Sequence, residues 1–226
     1  MPENAREAAS TEITGVAGLR EVYRPPSRPA LAKQIDHLDA NCRAFVARSP
    51  FVTLATADAE GRCDVSPRGG PPGFVRVLDE HALAIPDLSG NNRLDSLQNI
   101  LSGGGVGLLF MIPGLDETLR VNGRGTVTTD PAVLDRCPVG DVVPRVAVCV
   151  TVDEAYIHCA KALRRSRLWD PDGRPDLSDM PSVACMLRDH YGMPELDTAA
   201  VERRLEESYA RTLWRAGGDT PAITGD

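Results

Sequence analysis

The sequence predicts a mainly β protein of the α+β class, with about six strands in one antiparallel sheet or small barrel and helices at its periphery. Three observations point there. Between residues 51 and 157, short β-branched and apolar runs follow one another through tight Gly, Pro and Asp turns, with one short helical stretch among them. The alternating βαβ units of a doubly wound parallel sheet are missing from the pattern. The 226 residues are 42% hydrophobic and 25% charged, which is ordinary for a globular chain and long enough to bury a core without disulfide or metal staples.

Residues 1–28 read as an N-terminal arm. Its end, Arg24-Pro25-Pro26-Ser27-Arg28-Pro29, holds prolines that block a continuing helix and favour extended chain. A single domain over 29–215 and a flexible tail over 216–226 complete the expected organisation. Leu31, Ile35, Leu38, Cys42 and Phe45 recur every three or four residues, the stripe of one amphipathic helix. Strands are expected at 51–56, 62–67, 74–78 and 82–86, with turns at Asp58–Gly61 and Asp79–Glu80. Gly90-Asn91-Asn92-Arg93 opens a short helix whose Leu94, Leu97 and Leu101 share a face, and Gly103–Gly105 closes it. Further strands fall at 106–112, 118–129 and 145–157. Asp130-Pro131 starts a helix of about two turns, Asp130 being its N-cap. Helices are expected from Ala160 until Asp170–Gly173 breaks the run, at Ser182–Tyr191, and at Thr198–Trp214, where Val201, Leu205, Tyr209 and Leu213 recur every fourth residue.

Charge and motif content narrow the function. The 25 Lys and Arg against 32 Asp and Glu leave a formal charge of −7, the wrong sign for a general nucleic-acid binder. No apolar run approaches the roughly 20 residues of a bilayer span, and the polar segment Met1–Arg20 lacks an apolar signal core, so a cytoplasmic protein is expected. The six cysteines form no C-x-x-C pair and read as buried or half-buried free thiols, and no metal site is expected. Phosphate-loop, dinucleotide, nucleophile-elbow and H-E-x-x-H signatures do not occur.

Three polar constellations remain, each with a plain alternative. Ser66 and Arg68 share a face if their strand continues, and offer a hydroxyl and a guanidinium fork to a phosphate. On pattern alone, a surface turn with a solvated Arg68 is the simpler reading. Asn92 and Arg93 precede a helix whose start could receive an anion, or Asn92 is simply an N-cap. Lys161, Arg164 and Arg165, near Trp169, could take an anion together with a flat ring, or form a solvated basic helix.

Taken in order, Ser66-Pro-Arg-Gly69, Phe74-Val-Arg-Val-Leu-Asp79, Ile85-Pro-Asp87, Gly90-Asn-Asn-Arg-Leu-Asp-Ser-Leu97, Val106-Gly-Leu-Leu-Phe110, Glu117-Thr-Leu-Arg-Val-Asn-Gly-Arg124 and Glu154-Ala-Tyr-Ile-His-Cys-Ala-Lys-Ala162 resemble the pyridoxamine 5′-phosphate oxidase-like, FMN-binding split-barrel proteins over about residues 30 to 215. The resemblance implies a six-stranded split barrel and a homodimer with FMN at the subunit interface. It implies an FMN-dependent oxidoreductase acting on a small molecule, the flavin carrying the electrons. Ser66, Arg68, Asn92 and Arg93 match phosphate-holding positions. Ile85, Pro86 and Asp87 match a strand that offers backbone groups to the isoalloxazine. Thr118 and Arg120 match a region reaching the flavin from the partner subunit, and Lys161, Arg164 and Trp169 the C-terminal side of the pocket. The vitamin B6 oxidases carry basic residues at both positions after Gly90-Asn91, where this chain has Asn92 then Arg93, which argues against pyridoxamine phosphate as substrate. A deazaflavin (F420) reductase and a non-catalytic flavin- or haem-binding protein are the alternatives on the same fold.

Overall fold

The computed structural model describes residues 12–218; the rest of the expected arm and tail lies outside them. The chain divides after Gln34 into two units. In the first, α1 (Val16–Val22) and α2 (Arg28–Ala32) bury no side chain. The expected extended arm is therefore helical over Val16–Val22, and the prolines act only beyond it.

The second unit begins with α3 (Ala40–Val46), whose N-cap Asp39 accepts from the Cys42 N–H at 2.7 Å. One continuous helix from Leu31 to Phe45 was expected, and the structure breaks it. Ile35 is drawn into a β-bridge with Ala155, and its N–H donates to the Ala155 carbonyl at 3.0 Å. Of the expected stripe, Leu38 and Cys42 are buried and Ile35 and Phe45 pack against the core, whereas Leu31, on α2, is 61% exposed.

Seven strands follow, one at each of the seven segments expected as strands, against the six of the implied barrel: β1 (Phe51–Ala57), β2 (Cys63–Gly69), β3 (Arg76–Asp79), β4 (Ala82–Pro86), β5 (Gly105–Met111), β6 (Thr118–Thr128) and β7 (Ala147–His158). They form one sheet in the order β2-β1-β5-β6-β7-β4-β3, antiparallel at every pairing. The short β3 forms one edge, paired only with β4 as the expected hairpin. Alternation sends Val52 and Leu54 of β1, Leu108 and Phe110 of β5, and Leu119 and Val121 of β6 into one core, each at most 1% exposed. Between β6 and β7 the register shifts at Asn122/Gly123. A Cβ on Gly123 would collide with the Thr151 carbonyl oxygen, so only glycine fits this bulge.

Although β2 lies at one edge of the order and β4 beside the other, Arg68 at the end of β2 touches Asp87, just past β4, at 2.8 Å. The sheet therefore curls until its two sides meet without pairing, the form of a split barrel.

The helices differ from expectation in detail. Between β4 and β5, α4 (Asp95–Leu101) buries Ser96, Leu97 and Ile100, and leaves Leu101 72% exposed, so the leucine stripe is not its buried face. After β6, α5 (Pro131–Leu134) is a single turn capped by Asp130. Following β7 come α6 (Lys161–Ser166), α7 (Val183–Tyr191), capped by Ser182, and α8 (Thr198–Thr212), capped by Asp197. On α8, Ser208 and Thr212 are buried, while Tyr209 and, just beyond the helix, Leu213 are exposed. Residues 216 and 217, assigned above to a flexible tail, are bound into the fold: Ala216 bridges Leu88, and the Gly217 N–H donates to the Asp87 carbonyl at 3.1 Å. Among the described residues no helix is long and apolar enough to cross a membrane.

Candidate functional site

A cleft of about 520 Å³ opens where the two sides of the sheet meet. One wall is the inward face of β2. Its strict alternation puts Asp64, Ser66 and Arg68 on that face, and Pro67, which has no N–H to give, is tolerated because β2 is an edge strand. The opposite wall is Pro86–Ser89, and the loop Gly90–Leu94 and the start of α4 close one end. Leu213 and Gly217 reach in from the C-terminal segment.

Of the residues expected from sequence, Ser66, Arg68, Pro86, Asp87, Asn92 and Arg93 thus line one cleft. Ile85 does not; its side chain is 2% exposed, in the core. Asp87 behaves otherwise than expected. Its N–H donates to the Val146 carbonyl at 2.9 Å and its own carbonyl accepts from Gly217, so both backbone groups are spent. What it turns toward the cleft is its carboxylate.

The electrostatics also differ from the expected cationic site. Arg68 Nη1 donates to Asp87 Oδ1 at 2.8 Å with both side chains largely buried, and Arg68 Nε is buried without a partner. Arg93 Nε donates to Asp95 Oδ2 at 2.8 Å. That bond, with a smaller contribution from Asp64, pushes Arg93 above its ordinary pKa. Asp64 Oδ2 accepts from the buried Ser96 hydroxyl at 2.6 Å. The walls therefore carry two guanidinium groups and three carboxylates.

The loop is not an ordinary capped helix start. Asn92 (φ 57°) and Leu94 (φ 61°) are both left-handed without being glycine, at a cost of about 1 kcal/mol or more each. Leu94, not Asn92, is the N-cap of α4, and no side chain caps it. Asp95 already sits in the first turn, so the helix dipole has its own anion. The strained turns hold Arg93 at the mouth, where the Asn91 side-chain oxygen also accepts from its N–H at 3.1 Å.

Thr118, Arg120, Lys161, Arg164 and Trp169 do not line this cleft. They gather around the start of β6 and the end of β7. Thr118 is buried opposite His158, and Arg120 Nη1 donates to the Tyr156 hydroxyl at 3.0 Å. Arg164 Nε bonds Asp116 at 3.0 Å, and Trp169 Nε1 donates to the Leu115 carbonyl at 2.9 Å. Of the basic run after His158, Arg164 is thus tied to the turn before β6, and Arg167 is paired with Asp170.

Asp64, Ser96, Leu213 and Gly217 were missed from sequence. Asp64 could have been found, since it precedes Ser66 and Arg68 by the same two-residue step. The others come from segments whose approach to β2 is a tertiary event. Of the cysteines, Cys42 and Cys137 are buried, Cys63 and Cys159 exposed, and all six are free. Burial pushes the Cys42 thiol up to about 11. No cluster of metal-ligating side chains occurs among the described residues.

No curated protein matches the sequence. Solved structures similar to it include HupZ of Group A Streptococcus, 16% identical, TM-score 0.42, covering 51% of this chain and 89% of that one. A Clostridium acetobutylicum protein related to general stress protein 26, of the pyridoxinephosphate oxidase family, is 12% identical, TM-score 0.40, covering 52% and 85%. An F420 reductase is 18% identical, TM-score 0.35, covering 51% and 94%. The family model for pyridoxamine 5′-phosphate oxidase matches residues 38–159, from the turn before α3 through every strand of the sheet. By that match over more than half its length, the chain belongs to the pyridoxamine 5′-phosphate oxidase family.

Proposed function

We propose that this protein is an FMN-dependent oxidoreductase of its family, with the cleft holding the flavin's phosphate and ribityl chain. The observation that carries the reading is the convergence of Ser66, Arg68, Asn92 and Arg93 on one cleft from segments on both sides of the sheet. Its volume of about 520 Å³ suits a cofactor-sized ligand. Ser66 supplies a hydroxyl and the two arginines supply charged donors for the anion. Part of the rim is apolar: Val65, Leu94 and Leu213 line the cleft and are 64%, 49% and 57% exposed. Such side chains suit one face of a flat ring, and covering the other face is the part of a second copy of the chain. In that homodimer the group around Arg120 and Trp169 would come from the partner. When bound, the flavin supplies the hydride or one-electron chemistry; the chain's own residues hold and orient it and exclude water. Six free thiols favour a reducing cytoplasm.

Titration of the purified protein with FMN, riboflavin and F420 tests the assignment. FMN should bind at least tenfold more tightly than either, and NADH or NADPH should reduce the bound flavin in stopped flow. A tenfold preference for F420 would move the assignment to a deazaflavin reductase. FMN binding without turnover by any donor would make the protein a carrier.

A further inference from the structure

We propose that Asp87 limits the phosphate affinity of the cleft, and that Gly217 is a positioning residue that holds it there; this rests on the cleft being the phosphate site. Arg68 is the inner of the two cleft arginines, and Asp87 already occupies one of its N–H groups at 2.8 Å. A second, Nε–H, is closed off from solvent with no partner. A phosphate reaching Arg68 therefore meets a guanidinium already half neutralised and a carboxylate beside it. Asp64 and Asp95 add negative charge to the same walls, and Arg93, itself on Asp95, is the other cation there. The dianion is repelled by a group whose cationic partner it must share.

Asp87 does not swing aside freely. Its N–H is bonded to Val146 and its carbonyl to the Gly217 N–H. Position 217 lies so close that an added Cβ would collide with Asp87 Oδ2. The segment bearing Gly217 is itself fastened, by the Ser89 N–H to the Arg215 carbonyl at 2.8 Å and by the Leu88–Ala216 bridge. Absence of a side chain at 217 is what lets the carboxylate lie against Arg68.

The test uses Asp87→Asn, which keeps the oxygen that accepts from Arg68 and removes only the charge, together with Gly217→Ala and the double variant. Dissociation constants for FMN and riboflavin, identical but for the phosphate, are measured by flavin fluorescence, and inorganic phosphate binding by calorimetry at constant ionic strength. Asp87→Asn should tighten FMN at least fivefold and leave riboflavin within twofold. Gly217→Ala should tighten FMN by a smaller factor, and the double variant should gain nothing over Asp87→Asn. A weakened or unchanged FMN-to-riboflavin ratio in Asp87→Asn overturns the proposal, since Asp87 would then be a support for Arg68. A Gly217→Ala effect that persists undiminished when combined with Asp87→Asn removes Gly217 from it. If the parent binds neither flavin, the flavin reading falls by itself, and the phosphate titration decides this one: a gain in Asp87→Asn sustains it, and no gain sinks it.

Discussion

Replacing Arg68 by alanine removes the one cation that faces the cleft from within the sheet, and the structure sets the size of the effect. A charged hydrogen bond to phosphate is worth about 1.5–3 kcal/mol. The deletion also leaves Asp87, whose side chain is only 13% exposed, with its charge uncompensated beside the ligand. The loss for FMN should therefore sit near the upper end, about 3 kcal/mol or roughly 150-fold in Kd. Riboflavin has no phosphate and should lose no more than about twofold. Folding stability should fall as well, by about 1–2 kcal/mol, because a largely but not wholly buried pair is broken on one side only. Fluorescence titration with both flavins and urea unfolding of the apoprotein read the two effects separately. Equal losses for FMN and riboflavin would mean that Arg68 serves the fold and not the phosphate, and the placement of the site would be wrong.

Arg93→Ala should weaken FMN by only about threefold, because this exposed guanidinium already rests on Asp95 and is screened by water; a loss as large as that of Arg68→Ala would show the phosphate to sit at the mouth instead. Gly123→Ala drives a Cβ into the Thr151 carbonyl and should cost about 3 kcal/mol or more, seen as a large drop in the urea midpoint or as failure to accumulate folded protein. Asp39→Ala removes the N-cap of α3 and should cost about 1 kcal/mol at pH 7. The Cys42 N–H bond holds Asp39 below its ordinary pKa. Its contribution is thus present above the unfolded carboxylate's pKa and lost as pH falls through the lower folded value. Urea midpoints of parent and variant should accordingly converge only well below pH 4.

The strands were legible because alternation is local: Val52, Leu54 and Thr56, or Asp64, Ser66 and Arg68, declare their faces within one segment. The cap at Asp130 was legible for the same reason, its side chain bonding an N–H two residues on. The break between α2 and α3 was not, since the Ile35–Ala155 bridge joins residues far apart in the chain and leaves the apolar spacing unchanged. Nor was the start of α4, where the left-handed Leu94 obeys no local preference and persists because the surrounding loop is held.

The site divides along the same line. Sequence by itself determined which segments bear phosphate-type donors and, through the order of its motifs, the family to which they belong. Only the tertiary structure decided that Arg68 and Arg93 each already hold a carboxylate, that Asp87 faces the cleft with its charge rather than its backbone, and that the segment after α8 reaches back to touch it. Charge neutralisation depends on distances of a few ångströms between groups from different strands, and the curl of the sheet sets those distances.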